Sequence, residues 1–508
     1  MKKLLLLTAS ACTLANFANT KNAKPNVIVI LADDLGFGDV SAYGSKTIHT
    51  PNIDRLAKGG ISFTNGYATS ATSTPSRYAL LTGMYPWKKD GAKILPGDAP
   101  LLISEEQYTL PKMMQQAGYA TAAIGKWHLG MGSGNPDWNK TVTPGANQVG
   151  FDYSCLIAAT VDRVPTVYLE NGNVVGLDPK DPIYVSYKKN FDGEPTALTN
   201  PELVKMQWSH GHNNSVINGI PRIGFMKGGK SAIWKDDEMA DYLLGKVKTF
   251  LDEQQNHPFF LYYGLHEPHV PRVPNSKFVG KSGMGPRGDA ILEADWCVGQ
   301  LLDHLEKLHL LDNTILIFTS DNGPVLDDGY KDGAAEMLGN HKPAGGLRGG
   351  KYSLFDAGTH VPFFVYWKNT IKPKVSDALV CQMDLLASFS AMLNQPLKGN
   401  FDSQNILPAL MGKSNKGRTE LVVEANLKMA LRYKNWALIP PYKGPQRNET
   451  GNELGNLPVY GLYNLTTDDG QKNNVTRKEP SRLEKLKSLF FKITKGYYNP
   501  NVDEADLK

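Results

Sequence analysis

Four short segments of this 508-residue sequence place reactive polar side chains directly behind apolar runs. Asp33-Asp34 follow the run 27–31, and Lys126-Trp127-His128 follow 120–124. His266 and His269 follow 259–263, and Asp321-Asn322 follow 314–318. Asp33, Asp34, Asp321 and Asn322 offer hard oxygen donors and no thiol, a set that favours Ca²⁺ or Mg²⁺ over zinc. One acidic pair alone reads equally well as a solvated loop or a helix cap. Two pairs, each just beyond a buried run, make a metal site the better reading. In the segment 71–83, Pro75 suits the first turn of a helix over 77–81, which puts Ser73 at the amino end. Free N–H groups and the helix dipole favour an anion there, although a plain helix cap would use the same residues.

The elements behind these residues are legible too. The runs are continuous rather than alternating, as expected of strands buried on both faces. A fifth run, 361–367, follows His360 instead of preceding its polar residues. Amphipathic stretches lie between: one opens at Thr50-Pro51 and ends at Gly59-Gly60, a second covers 240–251 and a third 291–310. Strand and helix in alternation predict an α/β fold. Ligands in such sheets bind beyond the carboxyl ends of the strands, so four strands delivering carboxylates, histidines and a lysine imply one composite site. From about Glu420 the texture changes to short apolar runs (421–423, 429–431, 436–439, 461–465) and a final helix over 481–495, which predicts a small antiparallel subdomain.

Longer motifs carry a resemblance. Ser73-x-Pro75-Ser76-Arg77 followed by Leu80-Leu81-Thr82-Gly83 resembles the signature of the formylglycine-dependent sulfatases, and Gly118-Tyr119-x-Thr121 ending in Gly125-Lys126-Trp127-His128 resembles their second signature. Asp33-Asp34, His266-x-Pro268-His269, Asp321-Asn322-Gly323 and Arg348-Gly349-Gly350-Lys351 extend the likeness over roughly 25–370, with an echo at 462–465. The resemblance implies an alkaline-phosphatase-like fold: a mixed central sheet sandwiched by helices, with the smaller α+β subdomain behind it. It implies oxidation of Ser73 to formylglycine, whose geminal diol attacks with one hydroxyl and expels sulfate with the other. Asp33, Asp34, Asp321 and Asn322, with residue 73 itself, would hold one Ca²⁺. Arg77 would steady the nucleophile, and Lys126 and Lys351 would neutralise developing charge. His266 would protonate the leaving alcohol, and His128 would take the proton that triggers sulfate release. Position 73 is serine where many relatives have cysteine, which implies a formylglycine-generating maturase acting without oxygen before export. Gly358-Thr359-His360-Val361-Pro362 stands where many relatives carry Gly-x-Arg-x-Pro, so the usual arginine is missing.

Composition bounds the rest. A hydrophobic share of 41% with 21% charged residues excludes a disordered chain and a polytopic membrane protein. The net charge of +5, two units of it from Lys2 and Lys3, is no nucleic-acid footprint. Lys2-Lys3 and the apolar residues after them read as an export signal over 1–20, with a lipid anchor on Cys12 as the alternative; either way the protein is periplasmic or at the cell surface. No later segment is long and apolar enough to span a membrane. Cys155, Cys297 and Cys381 are odd in number and widely spaced, as buried thiols would be. The expected organisation is a catalytic domain over 21–415 and the C-terminal subdomain over 416–508. The loops of 160–235 are the least family-like stretch, and loops over a sheet edge choose substrates. His210, His212 and Arg222 there, with His269, are candidate contacts for a sulfated sugar, galactose or N-acetylgalactosamine being preferred, and Trp208 or Trp234 is placed to stack on its ring. Two other readings stand beside the sulfatase: a phosphate or phosphonate ester hydrolase of the same superfamily, and a non-catalytic binder of sulfated glycans.

Overall fold

The computed structural model describes residues 24–502, so the leader and Cys12 lie outside the described residues. In chain order the strands are β1 (Asn26–Ala32), β2 (Ile61–Tyr67), β3 (Ala120–Lys126), β4 (Tyr153–Ile157), β5 (Tyr168–Glu170) and β6 (Asn173–Val174). Four short strands follow: β7 (Tyr184–Ser186), β8 (Val216–Ile217), β9 (Ile220–Pro221) and β10 (Phe225–Lys227). After them come β11 (Phe259–Gly264), β12 (Thr314–Ser320), β13 (Phe363–Trp367) and β14 (Lys374–Cys381), then β15 (Glu420–Ala425), β16 (Lys428–Tyr433), β17 (Trp436–Ile439) and β18 (Gly461–Asn464). The helices are α1 (Pro51–Gly59), α2 (Ser73–Thr82), α3 (Leu110–Gln116), α4 (Met239–Glu253), α5 (Gly285–Lys307), α6 (Leu385–Met392), α7 (Leu407–Leu410) and α8 (Pro480–Thr494).

Ten strands make one mixed sheet in the order β14-β2-β13-β12-β1-β11-β3-β4-β5-β6. Its centre, β12-β1-β11-β3-β4, is parallel throughout. β13 pairs antiparallel with both β12 and β2, so β2 runs with the centre and β13 against it. Each run that ends in polar residues therefore ends at one edge of the sheet, and β13 begins there, which is why His360 precedes its run. Side-chain alternation along β1 sorts the core into two halves. Val27, Val29 and Leu31 join the cluster covered by α2, α3, α6 and α7. Ile28, Ile30 and Ala32 join the cluster under α1, α4 and α5. β1 is wholly buried, which is what its continuous apolar run required. The third expected helix begins earlier than its hydrophobic pattern did, at Gly285, with Pro286 in the first turn. Cys155, Cys297 and Cys381 are free and buried, as expected.

β15–β18 form a four-stranded antiparallel sheet whose apolar side packs with α8 in a third core cluster. That cluster takes in Tyr67, Ala71 and Ala79 of the main body. The two sheets meet just ahead of α2: the Ala71 N–H donates to Glu424 O (2.8 Å) and the Glu424 N–H to Thr69 O (2.9 Å). The position of the missing family arginine is resolved here as well. His360 pairs with Asp356 (2.8 Å) and Thr64 O (2.8 Å), and Arg432 reaches in from β16 to Asp356 (3.2 Å) and Tyr67 Oη (2.8 Å). Burial works against the charge on Asp356, but Arg432 and His360 hold it below the ordinary carboxylate range. A guanidinium from the small sheet thus pairs with the carboxylate beside this motif.

Candidate active site

Ser73 opens α2, whose ten residues are all buried. Lys126, at the end of β3, donates through Nζ to both oxygens of Asp33 (2.7 and 2.6 Å) and to Ser73 Oγ (2.9 Å). Asp33 Oδ1 and Asn322 Oδ1 each lie 3.5 Å from Ser73 Oγ. One turn along α2, Arg77 donates through Nε and Nη2 to Asp321 Oδ2 (3.1 and 2.8 Å) and through Nη1 to Lys126 O and Tyr262 Oη (3.1 and 2.9 Å). Asn322 Nδ2 donates to Asp34 Oδ1 (2.7 Å), while Lys351 Nζ holds Asp34 Oδ2 (2.8 Å) and Asp328 Oδ2 (2.7 Å). Asp34 and His128 both have left-handed backbone (φ 62° and 55°), the kind of local strain that collects at functional sites. Every residue of the expected metal set and the expected catalytic group except His266 is brought together here.

The electrostatics suit a divalent cation. Burial pushes Asp33 well above the ordinary carboxylate range; Lys126 opposes this, and the neighbouring Asp321 and Asp34 add to it. Burial opposes the charge on Asp321, yet Arg77 and Lys126 hold it far below that range. Asp33, Asp34 and His269 offer ligand atoms within 4.8 Å of one another. Buried carboxylates crowded this closely repel one another until a cation lies between them, and a site of oxygens fits the ion predicted from the residue types.

Two histidines sit differently from expectation. His269 gives its Nδ1–H to Val270 O (2.6 Å), which aims Nε2 at Lys351 Nζ (3.3 Å) and Asp34 Oδ2 (3.8 Å). It lines the pocket over Ser73. His266 turns instead into a neighbouring cavity, with Nε2 3.3 Å from Glu267 Oε1 and Glu293 on the same wall. His128 lines the pocket with its Nε2 at Leu95 O (2.9 Å) and its buried Nδ1 unpartnered. Burial, with Lys126 and Arg163 beside it, holds His128 well below the ordinary histidine range, so the ring is a neutral base.

The predicted sugar contacts divide as well. His210 and His212 line the pocket, but Arg222 does not: it is fully buried, donating to Val161 O (2.6 Å) and Asp236 (2.7 Å). Trp234 is buried too, against Tyr168, with its Nε1–H donated to Asp236 (3.1 Å), so no ring can stack on it. Trp208 is half-buried and bridged to Tyr330. The pocket also holds Asp162, Arg163, Asp328 and Tyr352, which the sequence reading missed. Asp162-Arg163 lie just beyond the carboxyl end of the parallel strand β4, the same signal that singled out the other pairs.

A family model of the sulfatases matches residues 25–394. The chain belongs to the sulfatase family. This sulfatase is 52% identical over 472 residues to the N-acetylgalactosamine-6-O-sulfatase of Bacteroides thetaiotaomicron, covering 92% of each chain. It is 31% identical over 412 residues to human arylsulfatase A, covering 78% of this chain and 70% of that one. A solved protein described under the metabolism of multiple glycosaminoglycans by Bacteroides thetaiotaomicron superposes with a TM-score of 0.91 at 51% identity, over 93% of this chain and 99% of that one. The sulfatase is accordingly a sulfuric ester hydrolase on an alkaline-phosphatase-like fold, in a family that uses a formylglycine nucleophile and a divalent metal. No helix among the described residues is long and apolar enough to cross a membrane.

Proposed function

We propose that this sulfatase removes sulfate from sulfated sugars through a formylglycine formed from Ser73, with N-acetylgalactosamine 6-sulfate the preferred sugar. The observation that carries the reading is Ser73 Oγ at the amino end of α2, 2.9 Å from Lys126 Nζ and 3.5 Å from Asp33 and Asn322. The sugar rests on the 52% identity to the N-acetylgalactosamine-6-O-sulfatase. Asp33, Asp34, Asp321 and Asn322, with residue 73, would hold Ca²⁺, which supplies charge that polarises a sulfate oxygen. Lys126 and Lys351 present ammonium groups to the sulfate as its charge shifts toward the leaving oxygen. Arg77 keeps Asp321 and the end of β3 in register with residue 73. His269, rather than His266, has its Nε2 beside Lys351 Nζ, so a proton passed from that ammonium to Nε2 goes on to the leaving alcohol. His128, neutral and with Nδ1 free, accepts the proton whose removal lets the sulfate go.

A maturase installs the aldehyde before export, the leader 1–20 directs the chain to the periplasm or cell surface, and 21–415 and 416–508 form the two parts of the mature protein. Mass spectrometry of the peptide around Ser73, from cells that hold the maturase, tests the nucleophile: the expected product is the aldehyde or its hydrate. Sulfate release from N-acetylgalactosamine 6-sulfate, galactose 6-sulfate and matching phosphate esters tests the chemistry. Ser73→Ala should abolish turnover with the fold intact. Turnover of the phosphate esters alone, by unmodified enzyme, would establish the phosphatase reading instead.

A further inference from the structure

Three buried arginines of this protein are structural, and each has all of its nitrogens paired. Arg77 does so against Asp321, Lys126 O and Tyr262. Arg272 uses Pro268 O, Leu326 O, Asp332 and Val325 O, and Arg287 uses Val325 O and both oxygens of Asp39. Arg163 differs. It is 7% exposed and lines the pocket with Ser73 and His128, yet only Nη1 has partners: Thr160 Oγ1 (2.8 Å) and both oxygens of Asp162 (3.1 Å). Among the described residues no acceptor takes Nε or Nη2. A pocket-lining guanidinium with one edge unpaired has donors left for a ligand.

Its support is rigid. Asp162 also accepts from His212 Nε2 (2.8 Å), whose Nδ1 lies 2.7 Å from His210 O. Burial opposes the charge on Asp162, but Arg163 and the His212 hydrogen bond hold it well below the ordinary carboxylate range. The sulfate end of the pocket is already furnished by Ser73, Lys126, Lys351 and His128. Arg163 and Asp162 line the same pocket from the stretch beyond β4, with Arg163 near His128. Asp162 holds the guanidinium so that its unpaired edge is a fixed donor in the pocket, which a sugar hydroxyl satisfies by accepting.

We propose that Arg163 is a specificity residue of this sulfatase: its unpaired Nε and Nη2 donate to a hydroxyl of the pyranose carrying the ester, while Asp162, whose oxygens are taken by Thr160, His212 and Arg163 itself, holds the guanidinium in place. This rests on the sulfatase reading above. The test uses mature enzyme and three measurements: kcat/KM for N-acetylgalactosamine 6-sulfate, inhibition by inorganic sulfate, and calorimetric binding of free N-acetylgalactosamine. For Arg163→Ala the expected kcat/KM falls about 10- to 100-fold, as for a lost charge-assisted hydrogen bond, with most of the change in KM. Inorganic sulfate should inhibit within about threefold of wild type, because the groups assigned to it are Ser73, Lys126 and Lys351, whereas the sugar should bind more weakly by the same factor as kcat/KM. Arg163→Lys keeps the charge without the planar fork and should recover only part of the loss; it also serves if the alanine variant does not fold. A loss under about threefold, full recovery with lysine, or a parallel rise in the inhibition constant for sulfate overturns the assignment. Should wild-type enzyme release no sulfate at all, the functional reading fails, while sugar binding to wild type and Arg163→Ala still decides the role of Arg163.

Discussion

Replacing Arg77 by Met tests whether the active site is held by buried charge. The guanidinium is fully buried and lies 2.8 Å from Asp321, itself inaccessible. Burial opposes both charges, but each partner stabilises the other's charged form. At an effective dielectric constant near 20, unit charges at that separation attract by about 6 kcal/mol. Desolvation of the two ions offsets much of this, so the pair itself is worth little, but removing one partner strands the other. The expected loss is about 3–5 kcal/mol. The single Arg77→Met variant should therefore be much less stable than Arg77→Met/Asp321→Asn, in which no buried charge is left alone. Guanidinium unfolding in chelator, followed by tryptophan fluorescence and near-ultraviolet circular dichroism, gives all four corners of the cycle. Turnover should fall in every variant, since Arg77 also fixes Lys126 O and Tyr262. A destabilisation below about 1 kcal/mol for Arg77→Met, or purely additive effects in the double variant, would refute the reasoning.

Three further outcomes are expected. Chelation of divalent ions should abolish turnover and lower the melting temperature, with Ca²⁺ restoring both; activity that survives exhaustive chelation would remove the metal from the site. His269→Gln should lower kcat by about 100-fold or more, as for a lost general acid, and His266→Gln by far less; the reverse order would return the proton donor to His266. Burial and the neighbouring Glu267 push Glu293 up to about 9 from 4.5. Its neutral form is the one the fold prefers, so stability present at low pH is lost as pH rises from the unfolded value through 9. Glu293→Gln should flatten the fall in melting temperature between about pH 5 and 9, and an unchanged slope would show that Glu293 does not titrate in that window.

Some of this protein is determined by local pattern alone. Runs such as 27–31 and 315–318 are apolar at every position because both faces of those strands are covered, so they identify parallel central strands without any partner being known. Pro51 marks a helix start, and the pairs Asp33-Asp34 and Asp321-Asn322 suggest a cation site by residue type. Motif likeness then attaches Ser73, Lys126 and Lys351 to one chemistry. The tertiary structure decided which of two neighbouring histidines lines the pocket with Ser73, because that depends on Val270 O taking the Nδ1–H of His269. It also decided that Arg432, far along the chain, supplies charge to Asp356, that Arg222 and Trp234 are sealed into packing, and that Arg163 keeps an open edge. Periodicity reports burial of a strand or helix face within a few residues. The pairing of a buried charge depends on which side chain reaches it across the sheet, and no local pattern encodes that distance.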